Sequence, residues 1–233
     1  MSDMRRRITA LLSAGLCLAT AACGGGADPD GSEPTTTSTT TSTARPLAEG
    51  ALDDLLLDTE QINAIMGAEG MAVTRNRVAM SDDADTMEPH ECLAVDGAAQ
   101  AQVYADSGFA AMRDLTFAES DDFKHYAQEA VVMFTGAKQS KAFFEASTKQ
   151  WPQCREYIHT QSGTEWTPGP ISTDNGVMSL ITTQQNGPPE GWACGRALAV
   201  RNNIVIDVNT CSAKPGESAT TIATQIADKV RVT

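Results

Sequence analysis

The sequence predicts an α+β domain in which helices pack on one face of a largely antiparallel sheet. Three observations lead there. Seven strand-like runs fall between Met71 and Thr210, and after residue 153 the connections are too short for helical crossovers. The stretch from Ala219 to Val230 repeats apolar residues at helical spacing. A hairpin turning at Asn202-Asn203 brings two cysteines face to face.

Taken in chain order, Leu52, Leu55 and Leu56 predict an opening helical turn or two. Asp58 or Thr59 caps the next helix, with Ile62, Ile65 and Met66 inward and Gly67 ending it. Strand-like runs follow at Met71–Met80, Phe109–Phe117 and Ala127–Thr135. A helix from Ala137 to Gln150 sets Phe143, Phe144, Ser147 and Trp151 along one side and stops at Pro152. Further strands are expected at Glu156–Gln161, Val177–Gln185, Ala193–Arg201 and Ile204–Thr210. In the last helix Ala219, Ile222, Ala223, Ile226, Ala227 and Val230 share a face. Glu217 opens it and Lys229 and Arg231 close it, as the macrodipole favours.

The first 46 residues have a different character. Arg5, Arg6 and Arg7 precede an apolar run from Ile8 to Ala22, the layout of a secretory signal peptide over residues 1–22. The run is shorter than the roughly 20 residues of a spanning helix. Its end, Thr20-Ala21-Ala22-Cys23-Gly24, resembles a bacterial lipobox, which implies diacylglyceryl attachment and acylation such as palmitate at Cys23. Thr20 stands where that pattern prefers leucine, and an ordinary cleaved signal is the alternative. Residues 23–46 form a linker rich in Thr and Ser with no apolar face to bury, and about 75 Å long if extended. Residues 47–233 are then one folded domain.

Composition narrows the function. The chain of 233 residues is 41% hydrophobic and 20% charged, which excludes a disordered polyampholyte and a multispan membrane protein. Its net charge of −13 excludes nucleic acid as a partner, since phosphates demand lysine and arginine. Residues 1–22 hold three arginines and one aspartate; without them 14 basic and 29 acidic side chains remain, net −15. Charge would not hold such a chain to anionic lipid, so the expected hold on the membrane is the acyl group.

Four cysteines remain in the domain. Pairing outward from Asn202-Asn203, facing residues have numbers summing to 405, so Cys194 meets Cys211 in a non-hydrogen-bonded pair with Cα atoms about 4.5 Å apart. Cys92–Cys154 follows by exclusion, and the absence of a C-x-x-C pair speaks against zinc. The same register turns Ala197, Ala199, Ile204, Ile206 and Val208 toward a core. Arg196, Leu198, Asp207, Asn209 and both cysteines face the other way. A strand face bearing Arg196, Asp207 and Asn209 needs water, a partner or a ligand. It fits a solvated outer face with an Arg196–Asp207 pair, or the wall of a ligand groove.

The pattern Trp151-Pro-Gln-Cys154, Trp192-Ala-Cys194-Gly-Arg-Ala-Leu198, Asn203-Ile-Val-Ile-Asp-Val208 and Cys211 resembles the PknH-like extracellular sensor domain family. Leu55 to Gly67 and Val131-Val-Met-Phe134 are similar to it as well. The resemblance implies an α+β fold with two disulfides and a large ligand cleft. It also implies occurrence either outside a mycobacterial transmembrane Ser/Thr kinase or as a stand-alone lipoprotein. This chain shows neither a kinase domain nor a spanning helix, so binding is what transfers.

Chemistry is sparse. His90, His125 and His159 have no metal-ligand spacing, and there is no G-x-S-x-G elbow or phosphate-cradling loop. Asp82, Asp83, Asp85, Glu88, His90 and Glu91 crowd one loop, but Glu88 stands where a calcium loop starting at Asp83 would need glycine. The expectation is a solvated acidic loop, no cofactor, no metal and no catalysis. The function expected is a lipid-anchored extracytoplasmic module binding a small molecule or cell-wall fragment. The alternatives are an interaction module for an envelope protein such as a kinase ectodomain and, more remotely, an envelope-polymer hydrolase.

Overall fold

The computed structural model describes residues 45–119 and 123–230. The signal peptide, Cys23, the linker up to residue 44 and Arg231 lie outside the described residues. The strands are β1 (Ala72–Arg77), β2 (Met87–Glu88), β3 (Phe109–Ala118), β4 (Tyr126–Phe134) and β5 (Tyr157–His159), then β6 (Thr164–Pro168), β7 (Ser172–Asp174), β8 (Val177–Gln184), β9 (Ala193–Arg201) and β10 (Ile204–Ser212). They form one sheet in the order β1-β3-β4-β10-β9-β8-β6-β5-β2, with β7 beside β8. Every strand pairing in it is antiparallel. Among the described residues five α-helices accompany it: α1 (Thr59–Met66), α2 (Leu93–Asp96), α3 (Ala101–Tyr104), α4 (Ala137–Gln150) and α5 (Ser218–Lys229).

Local chemistry accounts for the helix ends. The Asp58 carboxylate accepts from the Gln61 N–H while the Gln61 side chain accepts from the Asp58 N–H, a capping box that starts α1. Gly67 at φ 65° ends it in the left-handed conformation. Pro152 sits in a short 3-10 turn, Trp151–Gln153, which leads the chain out of α4. At the hairpin, Asn202 takes φ 50°, and Arg201 pairs with Ile204. Counting outward, Cys194 faces Cys211 with Cα atoms 4.1 Å apart, and the two are bonded. Cys92 is bonded to Cys154 across 62 residues, a closure contributing about 4 kcal/mol in the chain-entropy model.

The helices cover both faces of the sheet, not one. One core packs α1, α5 and the leucines of residues 52–57 on Val131, Ala197, Ala199, Ile204, Ile206 and Val208. The other packs α2, α3, Trp151 and both disulfides on Val132, Phe134, Leu198 and Val205, with Phe143 and Phe144 of α4 against it. The reason lies in β4 and β10, where both alternating sets contain apolar residues, the mark of strands buried on two sides. Arg196, Asp207 and Asn209 had lent the second face a solvated look.

The turn residue Asn203 has a further task. Buried, it accepts from the Leu47 N–H at 2.7 Å and donates to the carbonyls of Leu47 and Phe134 at 3.0 and 2.9 Å. It thereby brackets the chain where it enters the domain. Residues 49–57 then lie over the first core, and Leu57 donates its N–H to Glu129 Oε1 at 2.9 Å.

Glu129 is fully buried, and its Oε2 has no hydrogen-bond partner among the described residues. Burial pushes its carboxyl up to about 8, against the opposing pull of the Leu57 N–H and Lys229. The folded protein therefore holds a proton that the unfolded chain releases near 4.5. Stability from this group is complete below that value and is lost as pH rises toward about 8. Glu129→Gln, which keeps the acceptor and cannot ionise, should lie within about 1 kcal/mol of the parent at pH 5. At pH 9 it should exceed the parent by a few kcal/mol, on the order of 1.4 kcal/mol per unit of pKa shift. Thermal unfolding across this pH range is the check; parallel curves for the two proteins would contradict the assignment.

Candidate functional site

Arg196, Asp207 and Asn209 are buried, because the chain itself covers their side chains. They are 1%, 3% and 7% exposed. Arg196 Nη2 donates to Asp207 Oδ1 at 2.8 Å and to the Ala94 carbonyl at 2.9 Å. Its Nη1 donates to the Val208 carbonyl, and the guanidinium lies 5.3 Å from the Trp151 ring centroid. Asp207 Oδ2 accepts from the Ala99 N–H at 2.9 Å and the Tyr104 hydroxyl at 3.0 Å. Asn209 Nδ2 donates to the Asp96 carbonyl at 2.9 Å. Burial, then Asp207, pushes the Tyr104 phenol well up, so it stays a donor.

These side chains thus read the backbone of residues 94–104, the polar requirement of the sheet being met from within. Ala99, at φ 50°, occupies the left-handed region that costs a non-glycine residue roughly 1–2 kcal/mol. Its N–H aimed at Asp207 is what that conformation delivers. Sequence reasoning missed this cover because α2 and α3 are single turns with no readable period, although Leu93-Ala94-Val95 marks where it begins.

The other expected residues are placed as follows. Asp82, Asp85, Glu88, His90 and Glu91 are exposed, and Asp83 accepts from Gln100 Nε2 at 2.8 Å. His159 Nε2 lies 2.8 Å from Asp96, a hydrogen bond that raises the imidazole pKa against the effect of its partial burial. This pair ties the β5–β6 ribbon to α2.

The opening with the features of a binding site lies elsewhere, where β3, β4, β10 and β9 share an end. Ala118 pairs with Tyr126, Tyr126 with Cys211, and Ala193 with Ser212. The residues just beyond those pairs therefore project from one place. They enclose a cleft of about 690 Å³, within the usual range for small-molecule sites. Trp192 and Phe123 form its aromatic wall, with ring centroids 5.8 Å apart. Phe123 is 56% exposed, the most exposed aromatic ring among the large hydrophobics described. Met66 of α1 and Pro188 add apolar surface, and Lys124, Lys214 and Glu190 bring charge.

Two devices make this end rigid. The Cys194–Cys211 bond joins the strands one or two residues from Ser212 and Trp192. Glu119 holds His125 twice, with one oxygen 2.6 Å from the ring Nδ1 and the other accepting the backbone N–H at 2.9 Å. Burial alone would raise the Glu119 carboxyl; the two bonds from His125 outweigh it and keep its pKa below the ordinary range. Among the described residues no group of three or more His, Cys, Asp or Glu is placed to hold a metal.

Comparisons with known proteins agree with this architecture. The family model for the PknH-like extracellular domain matches residues 47–229. The serine/threonine-protein kinase PknH of Mycobacterium tuberculosis H37Rv is 32% identical over 191 residues, covering 80% of this chain and 30% of the kinase. That of Mycobacterium bovis is also 32% identical, with 80% and 32% covered. The chain therefore spans about a third of the length of these curated relatives. The crystal structure of the extracellular domain of PknH from Mycobacterium tuberculosis superposes with a TM-score of 0.75 at 32% identity, covering 80% of this chain and 98% of that one.

Removing one member of a buried ion pair strands the other in a low-dielectric interior. Asp207→Ala should destabilise the domain by about 3–5 kcal/mol, a loss read as a lower urea midpoint. An unchanged midpoint would mean that the pair does not hold the cover in place.

Proposed function

The chain belongs to the PknH-like extracellular domain family, and on that premise we propose that it is a sensor-type binding module held at the outer face of the cytoplasmic membrane. Its ligand site is the cleft walled by Trp192 and Phe123. The observation carrying this reading is an exposed Phe123 ring beside the half-buried Trp192, above a disulfide-locked strand end. An apolar ring left in water costs free energy that a ligand recovers on binding. The reading is recognition, not catalysis: the Glu119–His125 and Asp96–His159 pairs each fix a loop. The kinase activity of the relatives belongs to parts of those proteins outside the matched region and is not carried over.

The anchor in this reading is the acylated Cys23, with residues 24–46 as a stalk. No helix among the described residues is long and apolar enough to cross a membrane. The partners are the membrane through that lipid, and a small molecule or cell-wall fragment in the cleft. Cys23→Ala should abolish incorporation of a labelled fatty acid and shift the protein from the membrane fraction to the medium. Unchanged labelling and fractionation would overturn the anchor.

Native mass spectrometry of the protein purified from its own source tests the cleft. The parent should retain an added mass that the Phe123→Ala, Trp192→Ala double variant loses. An added mass kept by that variant would move the site elsewhere.

A further inference from the structure

Two asparagine–glycine pairs occur in the chain, Asn175-Gly176 and Asn186-Gly187. Such a pair is the asparagine peptide most open to attack on its own side chain, because glycine has no Cβ shielding its nitrogen. Neither Gly176 nor Gly187 has an acceptor for its N–H among the described residues. What separates the two pairs is how freely the peptide between their members can turn. Asn175-Gly176 is the tight turn of the β7–β8 hairpin, with φ of 50° and 78° and the ladder pair Asp174–Val177 directly outside it. Arg201 lies across that turn. Its Nη2 donates to the Asn175 carbonyl at 3.4 Å, and its Nη1 would stand 3.2 Å from a Cβ at Gly176. Rotating this peptide would undo the turn. Asn186 has a similar φ, 53°, but the pair that closes its loop is Thr183–Ala193, well outside it. Asn186 is exposed, and neither it nor Gly187 enters a hydrogen bond among the described residues. The nearest backbone bonds, Gln185 N–H to the Glu165 carbonyl at 2.7 Å and Gly191 N–H to the Pro188 carbonyl at 2.8 Å, leave both residues untied between them. Pro188 and Pro189 have no N–H with which to tie the loop further.

We propose that Asn186 is a site of spontaneous deamidation and isomerisation, with water as the only co-reactant. The Gly187 nitrogen gives its proton to solvent base and attacks Asn186 Cγ. The bond from Cγ to Nδ2 breaks, and Nδ2 takes up a proton and leaves as ammonia. Water then opens the cyclic imide at either carbonyl. Opening at Cγ gives aspartate on an unchanged backbone. Opening at the main-chain carbonyl gives isoaspartate, whose backbone runs through the former side chain and is one methylene longer. Nothing is oxidised or reduced, and either product adds a carboxylate. The change falls at the rim of the cleft. A Cβ at Gly187 would touch the side chain of Gln184 at 3.6 Å, and Gln184 lines that cleft. The same loop carries Pro188 and Glu190 and runs on to Trp192, all three of them lining residues. The site itself does not depend on what the cleft binds.

Peptide mapping by mass spectrometry of the full-length protein, aged at pH 6 and pH 9, reads the site as a gain of about one mass unit. Synthetic peptides spanning residues 172–179 and 183–190 give the unrestrained rates. In the protein, residue 186 should convert within about fivefold of its peptide's rate, and residue 175 at least about thirtyfold slower than its own. Isoaspartate should be part of the product at residue 186. Conversion should be faster at pH 9 than at pH 6, because the attacking nitrogen is the deprotonated one. Gly187→Ala, whose Cβ meets only ordinary contacts, should slow residue 186 by about tenfold or more and leave residue 175 as it was. An intact residue 186 after its peptide has converted would overturn the assignment. So would equal protection at the two positions, or a product holding aspartate alone.

Discussion

A guanidinium and a carboxylate on the inner face of a sheet can persist only if nearly all of their donors and acceptors are met. Arg196 and Asp207 impose that condition on this fold. Desolvating the two ions costs several kcal/mol each, and their mutual attraction offsets this only with additional hydrogen bonds. One of those bonds is to the Val208 carbonyl within the sheet, and the others come from one stretch: the Ala94 carbonyl, the Ala99 N–H and the Tyr104 hydroxyl. A stretch with two single-turn helices, too short to be stable alone, is thereby seated at a defined height above β9 and β10. Cys92–Cys154 fastens the same stretch to the end of α4, and Trp151 closes over the guanidinium. The second core is organised around an ion pair and sealed by a covalent bond.

What was legible in the sequence follows from the periods involved. A two-residue turn followed by strict alternation leaves a single register, so the Cys194–Cys211 pairing and the division of the hairpin's faces could be counted from Asn202-Asn203. The bounds of α4 were equally plain, since glycine precedes it and proline follows. The meaning of Arg196, Asp207 and Asn209 was not legible. Alternation says which way a side chain points and nothing about what covers it. The cover, residues 84–105, is built from 3-10 turns and four-residue helices that leave no hydrophobic period to detect. β6 and β7 escaped for a similar reason, being brief, mostly polar pieces whose strand character comes from pairing with β8.

The cleft was hidden more deeply. Phe123, Trp192 and Lys214 belong to three connections separated by dozens of residues, and none stands in a motif that names a site. They meet because four strands end together, a property of topology and register. Trp192 alone had drawn notice, through its place before Cys194.

The two regions constrain one another through the hairpin they share. Asp207 and Asn209 lie on the strand that ends at Ser212, and Arg196 on the strand that begins one residue after Trp192. The polar inner face is used up in holding residues 94–104, which leaves the strand ends as the more open part of the hairpin. There the Cys194–Cys211 bond prevents fraying, which is where an antiparallel ribbon is otherwise loosest. A wall built on locked strand ends is pre-organised, so a contact made there would cost little in ordering the strands.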